Sequence, residues 1–207
     1  MAMAVGEPRM SDAGELQTLY EAKARAELGD ADAIAGARPG AWTGEVMAAV
    51  ALVVGEPGDP TGTPLRGVAS EAVAKALTAL GFLEGSAFVI SSRPRDEAGD
   101  EALVGRLRLA LEAVDPTLVM ALDAQGARDL SAAYDLPELS AGRPVGSLGR
   151  TFGYAGEFVA SLGDDSAKAP VWGAMKAIAR ADAAKTSARR QSAPREKSGM
   201  RKDGPRT

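Results

Sequence analysis

Three short stretches of the chain contain almost nothing but apolar residues: EVMAAVALVV over 45–54, AFVI over 87–90 and TLVMAL over 117–122. Their β-branched residues and the turn residues that bound them favour buried strands over helices. A strand that is apolar on both sides must be covered on both faces. Each run is followed by a segment with helical periodicity, and strands joined through helices pair in parallel. The chain is therefore expected to fold as one α/β domain. The architecture expected is a three-layer sandwich around a central, mainly parallel four-stranded sheet.

The helical segments fit that scheme. Asp12 and Glu15 have capping-box spacing and open a helix towards Leu28, with Leu16, Leu19, Tyr20 and Ala24 on one face. Residues 29–44 read as a loop. Val68–Leu80 carries Val73, Leu77 and Leu80 on one stripe, and Gly81 stands where a C-cap glycine belongs. Glu101–Val114 spaces Leu103, Leu107 and Leu111 by four. Ala124–Tyr134 follows Asp123, a good N-cap. Glu157–Leu162 is expected to be the last strand. Pro170 suits the first position of a final helix, with Trp172, Met175 and Ile178 inward.

Composition narrows the chemistry. Hydrophobic residues make up 45% of 207, enough for a core, but aromatics are only 4%, so small aliphatic groups must fill it. With no cysteine, disulfides, thiolate catalysis and cysteine-bound metals are excluded. With no histidine, the usual neutral-pH acid/base and commonest metal ligand are gone. Neither a metal nor a cofactor is expected. No apolar run approaches a membrane span. The opening MAMAVGEPRM lacks the order of a secretion signal, so a cytoplasmic location is the expectation.

Charge is unevenly placed. Residues 185–207 hold eight basic side chains against two acidic ones, a net +6, so residues 1–184 carry −10 of the total −4. Segments expected are a disordered 1–10, a domain over 11–184, and a basic disordered tail over 185–207 that suits contact with DNA phosphates. A solubilising end without a partner has the same composition.

The first apolar run leads into VVGEPGDPTGTPLRG, Val53–Gly67. In a parallel sheet, ligands sit where such loops leave the C-terminal ends of strands. Gly55, Pro57 and Gly58 can bring backbone close to a ligand, with glycines allowing the approach and prolines limiting wobble. Glu56 and Asp59 can orient or activate a water, and Arg66 can meet a phosphate. The ending is neither a Walker A loop nor a GxGxxG fingerprint. Loops of this kind also serve simply as strand-to-helix connections.

The segment ALVVGEPGDPTGTPLRG resembles the first motif of the uracil-DNA glycosylase superfamily, which in its iron–sulfur branch reads VGEAPG, then GRPFVG. FVISSRP (88–94), LVMALDAQGARDL (118–130) and FVASLGDDSAKAPVW (158–172) resemble later segments of that family, in order. The resemblance spans about residues 42–180. It implies a base-binding cleft in which Glu56 or Asp59 positions water as the catalytic groups. Gly55, Pro57, Gly58, Leu65, Arg66, Ser91, Arg93 and Asp164 would bind substrate. Departures are marked: Leu65 stands where the family has a base-stacking aromatic, Ser91 near its base-reading asparagine, and Gly163 at its histidine. A lost oxyanion donor costs about 10²–10³ in rate, and Asp164 or Asp165 there would repel a developing anion. The resemblance therefore implies a divergent DNA glycosylase acting on a base other than uracil, with DNA as partner. The alternative is a non-catalytic relic that binds DNA, a nucleotide or a protein. A nucleoside enzyme with an acidic nucleophile is a third reading.

Overall fold

The computed structural model describes residues 10–36, 41–58, 60–83, 85–94 and 98–192. Asp59, Arg95 and residues 193–207 thus lie outside the described residues. Strands are β1 (Trp42–Gly44), β2 (Val50–Val54), β3 (Ala87–Ser91), β4 (Leu118–Ala121), β5 (Val145–Ser147) and β6 (Arg150–Tyr154). Helices are α1 (Met10–Ile34), α2 (Gly67–Ala79), α3 (Asp100–Val114), α4 (Ala124–Ala133), α5 (Phe158–Ser161) and α6 (Asp165–Ser192).

One sheet runs β1-β3-β2-β4-β6-β5. β3, β2, β4 and β6 are parallel, while β1 and β5 pair antiparallel on the two outer edges. The α/β class holds, but the sheet is six-stranded and mixed rather than four-stranded. The added edge strands, Trp-Thr-Gly and Val-Gly-Ser, are too short to carry a period-two pattern. The last parallel strand is also not where the apolar pattern put it. Within residues 157–162 the chain forms a turn of helix, α5 (Phe158–Ser161), and β6 lies earlier, in RTFGY. Short apolar runs do not separate helix from strand, and β6 hides behind a glycine. That glycine is required: a Cβ on Gly153 would sit 2.6 Å from Ile178 of α6.

Alternation along the strands splits the core in two. Ala51, Val53, Val119 and Ala121 face α1, α3 and α4, which contribute Leu28, Leu107, Leu111 and Leu130. Val50, Leu52, Leu118 and Met120 face α2 and α6, which contribute Val73, Leu77, Met175 and Ile178. These give the three layers. Trp42 packs on Phe88 at 5.6 Å between ring centres. Leu16, Leu19 and Tyr20 are exposed, and α1 buries Ala24, Leu28 and Ala31 instead. α1 also runs on through Gly29 to Ile34, inside the expected loop. α6 starts five residues before Pro170, which lies within it, and continues through Lys185–Ser192, the first part of the expected tail.

Two arginines tie α1 and α3 to each other and to the sheet. Arg106 is fully buried. Its Nε donates to Asp32 Oδ1 at 2.8 Å and its Nη1 to the Ser91 carbonyl at 2.7 Å, joining α1, α3 and the end of β3. Burial pushes this guanidinium's pKa down, and Asp32 opposes the shift. Arg150 donates to Glu112 at 2.7 and 3.0 Å and to Asp115 at 2.7 Å.

The Arg150 hydrogen bonds hold the Glu112 carboxyl below its ordinary 4.5. A carboxylate with a depressed folded pKa stabilises above its unfolded pKa and loses that contribution as pH falls through the folded value. Glu112→Gln is therefore expected to lower the urea midpoint at pH 7. The gap to the parent should close as pH drops from about 4.5 towards 3. Equal gaps at pH 7 and pH 3 would refute the assignment.

Candidate functional site

The C-terminal ends of β2, β3, β4 and β6 open onto one cleft of about 650 Å³. It is lined by Glu56 after β2, Arg93 after β3, Asp123 to Gln125 after β4 and Glu157 after β6, with Asp100 and Arg128 from α3 and α4. The chain starts the parallel set at β2, adds β3 on one side and β4 on the other. The β2–β4 boundary is thus the switch point at which α/β sheets hold ligands.

Asp123 fastens that boundary. Its Oδ1 accepts from Gly126 N at 2.6 Å as the N-cap of α4, and its Oδ2 accepts from Gly55 N at 2.8 Å. Gly55 permits the closeness: an added Cβ would lie 2.5 Å from Gln125 Cβ. Gly55→Ala must push α4 off β2. Overpacking of this kind costs about 1–3 kcal/mol, and a lowered thermal midpoint checks it. An unchanged midpoint would mean that the contact relaxes freely.

A second brace lies beneath the cleft. Asp129 of α4 is buried and accepts from Ser92 Oγ at 2.6 Å, Arg93 Nε at 3.0 Å, Arg93 Nη2 at 2.8 Å and Gln125 Nε2 at 2.9 Å. Arg93 Nη1 donates to Asp100 at 2.8 Å. Hydrogen bonds to these two carboxylates push the Arg93 pKa up. At the far rim, Glu157 Oε1 accepts from Ala124 N at 2.9 Å and from Tyr154 Oη at 2.8 Å. Burial, then the Glu157 carboxylate, push the Tyr154 phenol up to about 12.

The donors expected to meet a ligand are thus engaged within the protein. Gly55 N serves Asp123, and Gly58 N donates to the carbonyls of Thr63 and Pro64 in its own loop at 2.8 and 3.1 Å. The first turn of α4 serves Asp123 and Glu157. Arg93 serves Asp129 and Asp100. The Glu56 carboxylate, by contrast, is exposed and has no hydrogen-bond or ion-pair partner among the described residues.

Of the expected site residues, the cleft lining includes Glu56 and Arg93, with Gly55 just behind. Leu65 packs into the core with Val54 and Val73. Ser91 is fully buried at the end of β3 with its hydroxyl unpaired. Arg66 is exposed at the N-cap of α2, outside the lining. Asp164 is exposed, and its carboxylate accepts from Ser166 N and Oγ at 2.8 and 2.7 Å at the start of α6. Pro57 and Gly58 shape the loop without lining the cleft. Sequence reasoning missed Asp100, Gln125, Arg128, Asp129 and Glu157 as site residues. Gln125, Arg128 and Asp129 follow the end of β4 by one or two turns of helix, and the switch-point rule could have flagged them. Among the described residues, no group of three or more acidic side chains is placed to hold a metal ion. No described helix is long and apolar enough to cross a membrane.

Scanned against models of known protein families, the chain matches none, and it matches no curated protein.

Proposed function

We propose that this chain is a non-catalytic binding domain on a glycosylase-like α/β frame, which holds a small ligand in the switch-point cleft without breaking a bond in it. One observation carries the reading: among the described residues, Glu56 is the only expected catalytic or substrate-binding side chain that both lines the cleft and is unengaged by another described residue. A hydrolase needs a water-positioning group together with a stabiliser for the departing base. Arg93 is held by two carboxylates, while Ser91, Leu65 and Asp164 lie elsewhere. The walls carry four carboxylates against two guanidiniums, which disfavours a phosphodiester inside the cleft. DNA contact, where it occurs, falls to the basic residues 185–207.

The test incubates the full chain with duplexes carrying uracil or a panel of modified bases, then treats them with alkali. The expected result is no strand cleavage. A second reading, hydrolysis of an N-glycosidic bond with Glu56 orienting water, draws on the unengaged Glu56 carboxylate. Cleavage that disappears in Glu56→Gln would establish it and remove the first. For the tail, duplex binding followed by anisotropy should weaken steeply with salt and fall when the chain is ended at Ser192. Binding that ignores both changes would argue against a DNA partner.

A further inference from the structure

The first half of α1 hangs clear of the domain. Residues 13–20 are all exposed, and full burial begins only with Ala24 and Leu28, in the core shared with α3. Asp32, near the other end of α1, is tied through Arg106 to the cleft end of β3. The overhang therefore lies at the opposite end of the sheet from the cleft. A helix of about ten residues is marginal in water without packing, and Gly14 within it lowers its propensity further.

What the overhang presents is apolar. Leu16, Leu19 and Tyr20 share one stripe of the helix, which Lys23 continues, and the three are 51%, 66% and 58% exposed. The stripe is turned roughly 100° away from Ala24 and Leu28 about the helix axis, so it does not point at α3. It runs into a cavity of about 490 Å³ between α1 and the end of α3, lined by Tyr20, Lys23, Met47, Ala113 and Val114. Met47 is itself half exposed there.

Charge selects the occupant of this patch. Glu15 and Lys23 stand four residues either side of Leu19. Glu15 is exposed and unpaired among the described residues, and Lys23 bonds Glu27 one turn on, in an exposed pair that costs little to reopen. A second copy laid antiparallel, Leu19 against Leu19, brings Glu15 of each helix level with Lys23 of the other. A parallel copy sets Glu15 against Glu15 and Lys23 against Lys23. The surface is thus complementary to itself under a two-fold rotation, the commonest symmetry of soluble homo-oligomers.

We propose that two copies of this chain associate through antiparallel α1 helices, stripe on stripe, with Leu16 of each reaching the Tyr20–Met47 cavity of the other. Both clefts stay open at the far ends of the sheets, so the association is independent of the binding reading above. The patch is small beside the roughly 800 Å² per partner of a standard interface, and the pair is expected to dissociate at about 10–100 µM.

The experiment is sedimentation velocity on the full chain over about a hundredfold concentration range reaching roughly 300 µM. The expected result is a reversible shift from monomer to dimer. Leu19→Glu should raise the dissociation constant about tenfold or more, as loss of a central apolar anchor does, with the urea midpoint unchanged because Leu19 is exposed in its own domain. Leu83→Glu, at another exposed leucine, should leave the dimer as it is. Glu15→Lys and Lys23→Glu should each weaken it, and the two together should restore it. A monomer at every concentration would overturn the proposal, as would a dimer that Leu19→Glu leaves intact. A double charge variant no tighter than the singles would overturn the antiparallel arrangement. A chain that dimerises only once residues 1–9 are removed would assign the stripe to that segment and overturn a second copy as its occupant.

Discussion

Asp32→Ala should cost the fold about 3–5 kcal/mol, the range seen when one partner of a buried ion pair is removed. The reason is the depth of Arg106, which has no exposed surface. With Asp32 gone, the Ser91 carbonyl is the acceptor left to it, and one neutral acceptor does not offset the desolvation of a guanidinium. Urea unfolding at neutral pH measures the effect. The paired change Asp32→Leu with Arg106→Met should recover most of the loss, because buried pairs replaced together by apolar residues of similar volume are often neutral. If the single variant unfolds at the parental urea concentration, the guanidinium has found water and the buried pair does not hold α1 to α3. If the double variant is worse than the single, the pair contributes net stability of its own.

The second large effect is expected at Asp129. This one carboxylate receives four hydrogen bonds, from Ser92, twice from Arg93 and from Gln125. Asp129→Ala leaves the buried Ser92 hydroxyl without its short bond and frees Arg93 from all but Asp100. A loss of about 3 kcal/mol or more is expected, again read from denaturant midpoints. Asp129→Asn should recover part of it, since the amide oxygen still accepts while its NH₂ faces the donors of Arg93. The site should change too: an Arg93 released from Asp129 adds a less constrained cation to the cleft walls. A variant with parental stability would show that the Ser92–Arg93–Gln125 cluster is held by packing alone.

Much of the frame was legible because its signals are strong and local. An all-apolar VALVV or LVMA has no solvent side, so both faces of the sheet had to be covered, and Leu103, Leu107 and Leu111 could only point one way. Asp123 before Ala124 announced its N-cap. What escaped notice was set by contacts distant in sequence. Glycine in β6 answers to Ile178 on α6, and no window around RTFGY contains that information. The apolar face drawn for α1 by Leu16, Leu19 and Tyr20 is exposed, because only its second half reaches α3. The site was read through its first loop, which supplied Glu56 and Gly55. The partners that determine how that loop behaves, Asp123, Asp129 and Glu157, come from segments up to about a hundred residues later. Arg93 looked like a phosphate contact because its chain position is right; two carboxylates claim it.

The parallel strands are flanked by β1 and β5, each only three residues long and each containing a glycine. A rim this brief gives another chain little ladder to extend, whereas a bare β3 or β6 would present a five-residue edge, apolar from Ala87 to Ile90 in β3. Concentrated solutions should accordingly resist fibril growth, and lengthening either rim with valines should be the quickest route to provoking it.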